Sequence, residues 1–494
     1  MAKRIIASVF AFVLMMTVVC SCGNGGGQTV STTAGIETAG NTDDGKYHAA
    51  IPDRKYDGAT FTIMCRSLDS SWNDRTLIGE SDDETVLGAA NWKRNSAVEA
   101  QLGIKLEFAQ IATTPTGGAF YNVIQENSLT YDYICDVAVQ SVYDACNLIP
   151  TGIIKNLDDV PYVNLNQPWW QQKLNDSLAL LGKHYFAINH MLVNDKLDTY
   201  ALFFNKDNFD DNGLVYPYKY VEEGTWTVER LKKMITDFGW DLNQNNKKDY
   251  QDQFGMAYQR IDSFFTGFGL LGATLDKDGY PEMNEFSDRV QKAYDAMYAL
   301  RNNYDWNEWG YWDDGHTDNV TQLYVDLYYD VLFVCGPLSH YIDTIPLVEN
   351  NIGVVPSPWL DENQNEYFGR AGLSGTTAVT VLNSVPDIER AGIVIEALGA
   401  EGLNITYPAF YETLLQDRYS QDEESKKMIS IIIESEVIDL DALFVWGNMN
   451  RQLELNIASK NPAAASVYAK YLDGAKGKLD ETMAGIIKNL NSKS

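Results

Sequence analysis

The sequence has little of what metal-dependent and nucleophilic enzymes depend on. It contains five histidines and six cysteines in 494 residues, and none of them stands at a zinc-ligand spacing such as CxxC. The serine-hydrolase motif GxSxG, the metalloprotease motif HExxH and the phosphate-binding P-loop are also absent. These absences disfavour a metallohydrolase and the common serine-hydrolase and nucleotide-binding enzymes.

Positive charge is scarce. The chain has 38 Lys and Arg against 68 Asp and Glu, for a net charge of −30. Such a balance repels the phosphate backbone and leaves no counterion release to drive nucleic-acid binding, so we expect no nucleic-acid partner. Hydrophobic residues make up 45% and aromatic residues 12% of the chain. This composition predicts a large folded core.

Only one apolar run is long enough to be a targeting segment. Lys3 and Arg4 precede the run from Ile5 to Cys20, as in a secretory signal. The following Val-Cys-Ser-Cys sequence resembles a bacterial lipobox, which makes Cys22 the predicted lipidated residue. An ordinary cleaved signal with an incidental cysteine is the alternative. We therefore expect a lipoprotein signal peptide at 1–21 and an extracytoplasmic protein anchored to the outer face of the cell membrane.

Residues 22–50 are rich in Gly, Ser, Thr and Asn and have no periodic apolar positions, so they predict a flexible tether. Four cysteines remain in the body of the chain: Cys65, Cys135, Cys146 and Cys335. The sequence leaves open whether Cys135 and Cys146 form a disulfide or whether all four are isolated buried thiols.

The body of the chain alternates between strand and helix patterns. Strand patterns at 60–66, 104–111 and 133–140 are separated by helical patterns at 84–102 and 118–129. This β-α-β-α-β order predicts parallel sheets covered by helices. Further strands are predicted at 184–189, 200–205, 331–335, 352–355 and 377–382, and the chain from about 387 onwards is predicted to be mostly helical.

Several short motifs occur in one order along most of the chain. They are the helix–Gly-Ile–strand pattern in AVEAQLGIKLEF, the GK-x-Y pattern at 182–185, FNK at 204–206, the TW helix start at 225–227, the Gly-Pro strand end at 336–337 and the GV-x-P pattern at 353–356. In this order the chain resembles the extracellular solute-binding proteins of ABC importers, in the sugar-binding group that includes maltose-binding protein. The resemblance covers roughly residues 56 to 480.

The resemblance implies an α/β, two-lobe periplasmic-binding-protein-like fold (class II), each lobe a mostly parallel sheet flanked by helices. Residues 51–196 plus 372–405 would form lobe 1, and residues 197–371 plus 406–485 would form lobe 2. The implied function is capture of a sugar or oligosaccharide by hinge closure and delivery to the transmembrane subunits of an ABC permease. A monomer without catalytic activity is expected.

The resemblance also implies ligand-binding positions, some basic or acidic and some aromatic, because sugars offer hydroxyls and an apolar ring face. The implied residues are Arg66, Asp198, Asp262, Phe264, Gly336 and Trp446. The alternative for Asp198 is a carboxylate on the hinge surface with no role in binding. The alternative for Trp446 is packing in the core. At the Gly336-Pro337 turn, Leu338 replaces the family's stacking Trp, so a maltodextrin ligand is not assumed.

A calcium loop is predicted independently of the resemblance. Residues 241–252 place oxygen ligands at the spacing of an EF-hand loop. The predicted ligands are Asp241, Asn243, Asn245, the Lys247 carbonyl, Asp249 and Asp252. Asn246 stands where the usual loop has Gly, although Asn tolerates a left-handed conformation. The alternative is a solvated polar turn, and the ion's expected role is structural.

Two other functions compete with a binding protein. The abundant carboxylates leave room for a catalytic pair, so a surface carbohydrate-active enzyme (a glycoside hydrolase-like lipoprotein) is the first alternative. A glycan-capture lipoprotein built from helical repeats is the second, and it is disfavoured by the β-α-β opening and by the lack of internal repeats. A peptide or another polar solute also remains open as the ligand.

Overall fold

Two larger β-sheets with flanking helices organise the chain. The computed structural model describes residues 45–67, 77–113, 118–130, 132–236, 238–246, 252–258, 260–302, 308–310, 328, 330–416 and 423–492. The strands are β1 (Ala59–Arg66), β2 (Ile104–Ile111), β3 (Val137–Ser141), β4 (Tyr200–Asn205), β5 (Phe254–Tyr258), β6 (Ala273–Leu275), β7 (Pro281–Met283), β8 (Glu308–Gly310), β9 (Val331–Pro337), β10 (Ile352–Val355), β11 (Gly369–Arg370), β12 (Thr377–Thr380) and β13 (Glu436–Val437).

Helices cover both sheets and make up most of the C-terminal part. They are α1 (Val86–Leu102), α2 (Ala119–Thr130), α3 (Val142–Leu148), α4 (Gln172–Ser177), α5 (Asn194–Leu197), α6 (Lys206–Asp211), α7 (Tyr218–Glu222), α8 (Val228–Ile235), α9 (Asp262–Gly267), α10 (Asp288–Asn302), α11 (His340–Asp343), α12 (Ile388–Glu401), α13 (Tyr407–Gln416), α14 (Glu423–Glu434), α15 (Leu440–Phe444), α16 (Met449–Ala458) and α17 (Ala464–Ser492). A π-helical turn, Gly402–Thr406, joins α12 to α13.

The first sheet has the strand order β12-β3-β1-β2. β1 pairs in parallel with β2 and β3, and such pairs require crossover connections, which α1 and α2 supply. Thr85 caps α1 by accepting a hydrogen bond from the N–H of Gly88 at 3.0 Å. The helix ends, as predicted, at Gly103, whose φ of 63° is one that glycine adopts without strain.

The second sheet has the order β10-β4-β9-β5-β8 and mixes parallel and antiparallel pairs. Every residue of β4, β5, β9 and β10 is buried, because helices and loops cover both faces. The FNK motif has a structural explanation here. Asn205 ends β4, and its side chain caps α6 by accepting from the N–H of Asn208 at 3.0 Å. Thr227 caps α8 in the same way, as predicted.

The chain passes between the two sheets at three places that lie side by side. Thr199 forms an antiparallel bridge with Ala371, and β11 pairs in parallel with β13 through Gly369 with Glu436 and Arg370 with Val437. One crossing segment leads from α5 into β4, the second leads through β11 towards β12, and the third leads from α14 towards α15. Three adjacent crossings form a narrow connection that can act as a hinge.

Two strand predictions were inaccurate. Residues 184–189 form no strand, because their contact with the first sheet is a single bridge between Ala187 and Val379 at its β12 edge. The third strand begins at Val137 rather than at 133. The stretch from 387 is mostly helical, as predicted.

All four cysteines of the body are buried and none forms a disulfide, which resolves the alternative left open for Cys135 and Cys146. Burial raises the pKa of Cys135 to about 12, so it is an unreactive thiol at neutral pH. Within the described part of the chain, no helix is both long and apolar enough to cross a membrane.

Candidate functional site

A buried arginine and a carboxylate meet at the turn that precedes β12. Arg66, at the carboxyl end of β1, donates to the carbonyl oxygens of Ser374 and Gly375 at 2.9 and 3.3 Å. The Oδ2 of Asp198 accepts from the N–H of Gly375 at 2.7 Å. Arg66 lies on the first sheet and Asp198 on a crossing segment, so the tertiary structure brings these two predicted site residues to one turn.

Glycine is required where Asp198 is seated. A Cβ added to Gly372 would lie 2.2 Å from Asp198 Oδ2, and one added to Gly375 would lie 2.7 Å from it. Removal of water raises the pKa of Asp198 to about 7, although the Gly375 N–H, Arg370 and Arg66 oppose the shift. Asp198 therefore changes its protonation near neutral pH.

A second polar cluster surrounds Asp262, the first residue of α9. Its Oδ1 accepts from Nε of Arg260 at 3.2 Å, and Nη2 of Arg370 lies 4.0 Å from its Oδ2. Burial favours the neutral form of Asp262, but Arg370 and Arg260 outweigh burial and hold its pKa below the ordinary value. Glu454 of α16 lies 3.7 Å from Arg260. The cluster joins the second sheet, β11 and the C-terminal helices.

Two side chains that follow β3 were not predicted to belong to this region. Tyr143 lies near Arg370 and Arg260, and burial raises its pKa. Burial likewise raises the pKa of Asp144 to about 6, against the opposing effects of Ser141 and Arg66. Side chains just after the strands of a parallel sheet gather at one edge. Their position after the third strand was therefore a usable signal in the sequence.

The remaining predicted residues lie in or against the core. Phe264 has no exposed surface and its ring lies 6.3 Å from that of Phe268. Trp446 is also buried; it stacks on Phe444 at 4.8 Å and donates through Nε1 to Thr482 at 3.0 Å. The backbone of Gly336 lies so close to the ring of His340 that an added Cβ would be 2.4 Å from it.

A cavity of about 560 Å³ is lined in part by Leu197, the residue that precedes Asp198. One wall is the segment 78–88, which leads into α1 over the first sheet. The other wall comes from Leu197 of α5 and from the segment after β9. Its lining residues are Ile78, Gly79, Glu80, Asp82, Asp83, Thr85, Val86, Leu87, Gly88, Leu197, Ser339, Ile342 and Asp343. One wall of the cavity therefore lies on the side of the first sheet, and the other lies on the side of the second sheet.

The predicted calcium loop is described only in part. Asp241 Oδ2 accepts from the N–H of Asn246 at 2.9 Å, and Asn246 has the left-handed φ of 58° that was expected of it. Lys247 and Asp249 lie outside the described residues. Among the residues that are described, no group of three or more His, Cys, Asp or Glu side chains is arranged to hold a metal ion. The structure therefore gives no support for calcium, and the predicted site stays a prediction.

Cys22, the signal and most of the tether also lie outside the described residues.

Comparison with known proteins identifies the fold. No family model and no curated protein sequence matches the chain. A solved cyclo/maltodextrin-binding protein complexed with maltotetraose is similar, with a TM-score of 0.57 at 12% identity over 87% of this chain and 98% of that chain. The galacto-N-biose-/lacto-N-biose I-binding protein of the ABC transporter from Bifidobacterium longum, in complex with lacto-N-biose, gives 0.55 at 12% identity over 87% and 98%. The maltose/maltodextrin-binding domain from Bdellovibrio bacteriovorus, bound to maltotriose, gives 0.52 at 12% identity over 86% and 100%.

These similarities extend over most of each chain at low sequence identity, so they define the fold. The chain has the two-lobe, mixed α/β fold of periplasmic binding proteins. The fold class predicted from the sequence is confirmed, as is the resemblance to sugar-binding ABC substrate-binding proteins at the level of structure. The similar structures are binding proteins rather than enzymes.

Proposed function

We propose that this protein is an extracytoplasmic solute-binding protein that captures a saccharide between its two lobes and delivers it to an ABC permease. In this proposal residues 51–196 plus 372–405 form lobe 1, and residues 197–371 plus 406–485 form lobe 2. The similar structures hold maltotetraose, lacto-N-biose and maltotriose. Those ligands support a saccharide as the class of solute for this chain.

One observation carries the proposal: a cavity of about 560 Å³ has walls from both sides of a three-segment crossing. A ligand in such a cavity contacts both walls only when they are close together. Its binding energy therefore favours the closed arrangement, which is how a binding protein couples capture to a change of shape. The cavity volume suits a small oligosaccharide.

Among the residues predicted from the sequence, we propose Asp198 as the direct ligand contact. It follows Leu197, which lines the cavity, and it is partly exposed. Its carboxylate can accept hydrogen bonds from sugar hydroxyls. Arg66 and Asp262 are instead proposed to hold the crossing segments in place, because their side chains are buried and contact the protein itself.

Calorimetric titration of the purified protein with an oligosaccharide panel tests the binding function. We expect stoichiometric binding of at least one saccharide, with the sugar unchanged afterwards by chromatography. Released product would establish the carbohydrate-active enzyme instead. If no saccharide binds but a peptide or another solute does, the class of ligand changes. The solute-binding role proposed from the fold would then still hold.

Membrane tethering through Cys22 is a separate part of the proposal. It rests on the lipobox-like sequence before Cys22 and on the Gly/Ser/Thr-rich stretch after it. We expect Cys22→Ser to move the protein from the membrane fraction to the soluble secreted fraction, whereas Cys65→Ser should leave it in the membrane fraction. Equal membrane association of the Cys22→Ser variant and the wild type would exclude the lipid anchor. Crosslinking of the closed protein to membrane subunits is the corresponding test of permease docking.

A further inference from the structure

One buried arginine connects the first wall of the cavity to the chain segment that leads to the second wall. Arg94 lies in the middle of α1 and has no exposed surface. Burial lowers its pKa to about 9, because removal from water disfavours the charged form, and the group still carries its charge at neutral pH. A buried guanidinium is stable only where acceptors satisfy its N–H groups. Here those acceptors come from three segments besides α1 itself.

The first of these acceptors lies on the segment that becomes the cavity wall. Arg94 Nη2 donates to the carbonyl oxygen of Leu77 at 2.5 Å. Two neighbours on α1 act at the same place: Asn95 Nδ2 donates to this carbonyl at 3.1 Å, and Asn91 Nδ2 donates to the carbonyl of Ile78 at 3.4 Å. Ile78 is the first lining residue of this wall. Three side chains of α1 therefore hold the wall where it begins.

The wall segment also packs directly on α1. A Cβ added to Gly79 would lie 2.2 Å from the carbonyl oxygen of Gly88 and 2.5 Å from the backbone nitrogen of Trp92. Both glycines line the cavity. Because backbone meets backbone here, the shape of this wall depends on where the segment lies along α1, and the hydrogen bonds from Arg94 fix that position.

The other nitrogen of the guanidinium reaches the chain before α5. Nη1 of Arg94 donates to the carbonyl oxygen of Met191 at 2.5 Å and to the hydroxyl of Thr406 at 3.3 Å. The chain continues from Met191 through α5 to Leu197, which lines the second wall, and to Asp198 at the crossing into β4. Thr406 ends the π-helical turn, a rare distortion that occurs frequently at functional sites.

We infer that Arg94 is a positioning residue for ligand capture, which fixes the first wall of the cavity to the segment that leads into the second wall. This inference rests on the proposed solute-binding function and adds a residue that is not among the cavity's described lining. An arginine suits this place because its planar fork directs N–H groups to two sides at once, whereas lysine carries all its donors on one atom.

Hydrogen exchange of the full chain tests the inference without a ligand. Arg94→Lys retains the charge and removes the fork. We expect the amides of residues 77–88 to exchange at least tenfold faster than in the wild type, while those of β1 stay unchanged. Arg390→Lys is the matched control, because Arg390 of α12 donates to Asp136 at 2.7 Å and neither residue lines the cavity. It should leave the exchange of 77–88 unchanged.

A milder variant decides the question if Arg94→Lys does not fold. Thr406→Val removes one acceptor of Arg94 with little change of shape at a fully buried position. Exchange of 77–88 should become at least threefold faster in this variant. A wild-type rate for this segment in Arg94→Lys, or in Thr406→Val where only that variant folds, overturns the inference.

Calorimetry and stopped-flow kinetics connect the wall to ligand capture. The probes are maltotriose, maltotetraose and lacto-N-biose, the saccharides held by the similar structures. For each probe that the wild type binds, we expect Arg94→Lys to weaken the affinity at least tenfold, mainly through faster dissociation, and Arg390→Lys to leave it unchanged. An unchanged affinity in Arg94→Lys overturns the inference. Equal losses in the two variants indicate a general effect on the fold and also overturn it.

The two kinds of experiment separate this inference from the proposed function. A wild-type protein that binds none of the three probes counts against the saccharide-binding function. The exchange rates of 77–88 then still support or overturn the positioning of the wall by Arg94.

Discussion

The Oδ2 of Asp198 accepts a hydrogen bond from the backbone N–H of Gly375 at 2.7 Å, across 177 positions of sequence. The N–H of Gly372 donates in turn to the carbonyl oxygen of Asp198 at 2.8 Å. Asp198 therefore joins two of the three crossing segments beside the cavity. Any ligand that contacts its carboxylate also contacts the connection about which the lobes would close.

The close approach of Gly372 to Asp198 predicts a large effect of a single methyl group. In Gly372→Ala the new Cβ would lie 2.2 Å from the carboxylate and 2.7 Å from the carbonyl oxygen of Asp198, so the side chain of Asp198 must move and the two crossing segments must shift. We expect a loss of about 1–3 kcal/mol in the free energy of unfolding, the usual cost of overpacking. Urea denaturation measures it.

Gly474→Ala is the matched control for that experiment. Gly474 lies inside α17, and an added Cβ would meet nothing within 4 Å. Because Ala is a better helix former than Gly, we expect this variant to be stabilised by about 0.5–1 kcal/mol. Similar changes in the two variants would contradict the tight packing at Gly372.

The buried carboxylate of Glu396 accepts hydrogen bonds from two indoles, and its raised pKa predicts that the stability of the fold depends on pH. Its carboxylate accepts from Trp169 Nε1 at 3.1 Å, from Trp170 Nε1 at 2.8 Å and from the N–H of Asn164 at 3.2 Å. Burial raises its pKa from 4.5 to about 7. The folded protein thus holds a proton that the unfolded chain releases, and this group's contribution to stability falls as the pH rises from about 4.5 to 7.

Glu396→Gln should remove that contribution and leave an amide facing the indole donors. We expect a loss of about 1–3 kcal/mol at pH 7 from the unsatisfied groups, with a smaller dependence on pH between 4.5 and 7. Glu389→Gln, on the same helix, breaks only an exposed ion pair with Arg54 and should cost less than about 1 kcal/mol. Thermal unfolding at several pH values measures both, and an unchanged pH profile in Glu396→Gln would refute the assignment.

Lys196 lies between two buried carboxylates at the crossing. Its Nζ is 2.8 Å from Asp195 and also contacts Glu436 of β13. Burial favours the neutral amine, but the two carboxylates outweigh it and raise the pKa of Lys196. Lys196→Met would leave both carboxylates buried without their cation. We expect a loss of about 3–5 kcal/mol.

Lys219→Met is the control for this prediction, since Lys219 forms only an exposed pair with Glu223 at 3.9 Å. Its loss should be below about 1 kcal/mol. Guanidinium denaturation of both variants provides the measurement. A loss in Lys196→Met as small as in the control would show that the crossing does not depend on this cation.

The calcium loop predicts a dependence on metal that can be measured directly. If residues 241–252 bind calcium, addition of the ion should raise the melting temperature and EDTA should lower it, because binding stabilises only the folded state. Asp241→Asn should reduce this shift, whereas Asp278→Asn, in the turn between β6 and β7, should preserve it. If neither calcium nor EDTA changes the melting temperature, the site is excluded.

Local patterns predicted the elements that local physics fixes. Helix α1 was predictable because Gly103 ends it, and α8 because Thr227 caps it. The strand predicted at 184–189 failed because an apolar pattern reports burial, whereas strand formation needs a neighbouring strand along its whole length. The side chains of Tyr143 and Asp144 were missed because only the assembled sheet places them beside Arg370 and Arg66.

By itself the sequence determined the acidic charge, most of the order of strands and helices and, through the order of short motifs, the fold class. These properties depend on composition and on contacts between residues close along the chain. Only the tertiary structure decided that Trp446 and Phe264 are buried, that Asp198 is seated against two glycines, and that Asp82 and Asp343 line the same cavity from opposite walls. Those relationships join residues from distant parts of the chain, and they exist only once both sheets and their crossing segments have formed.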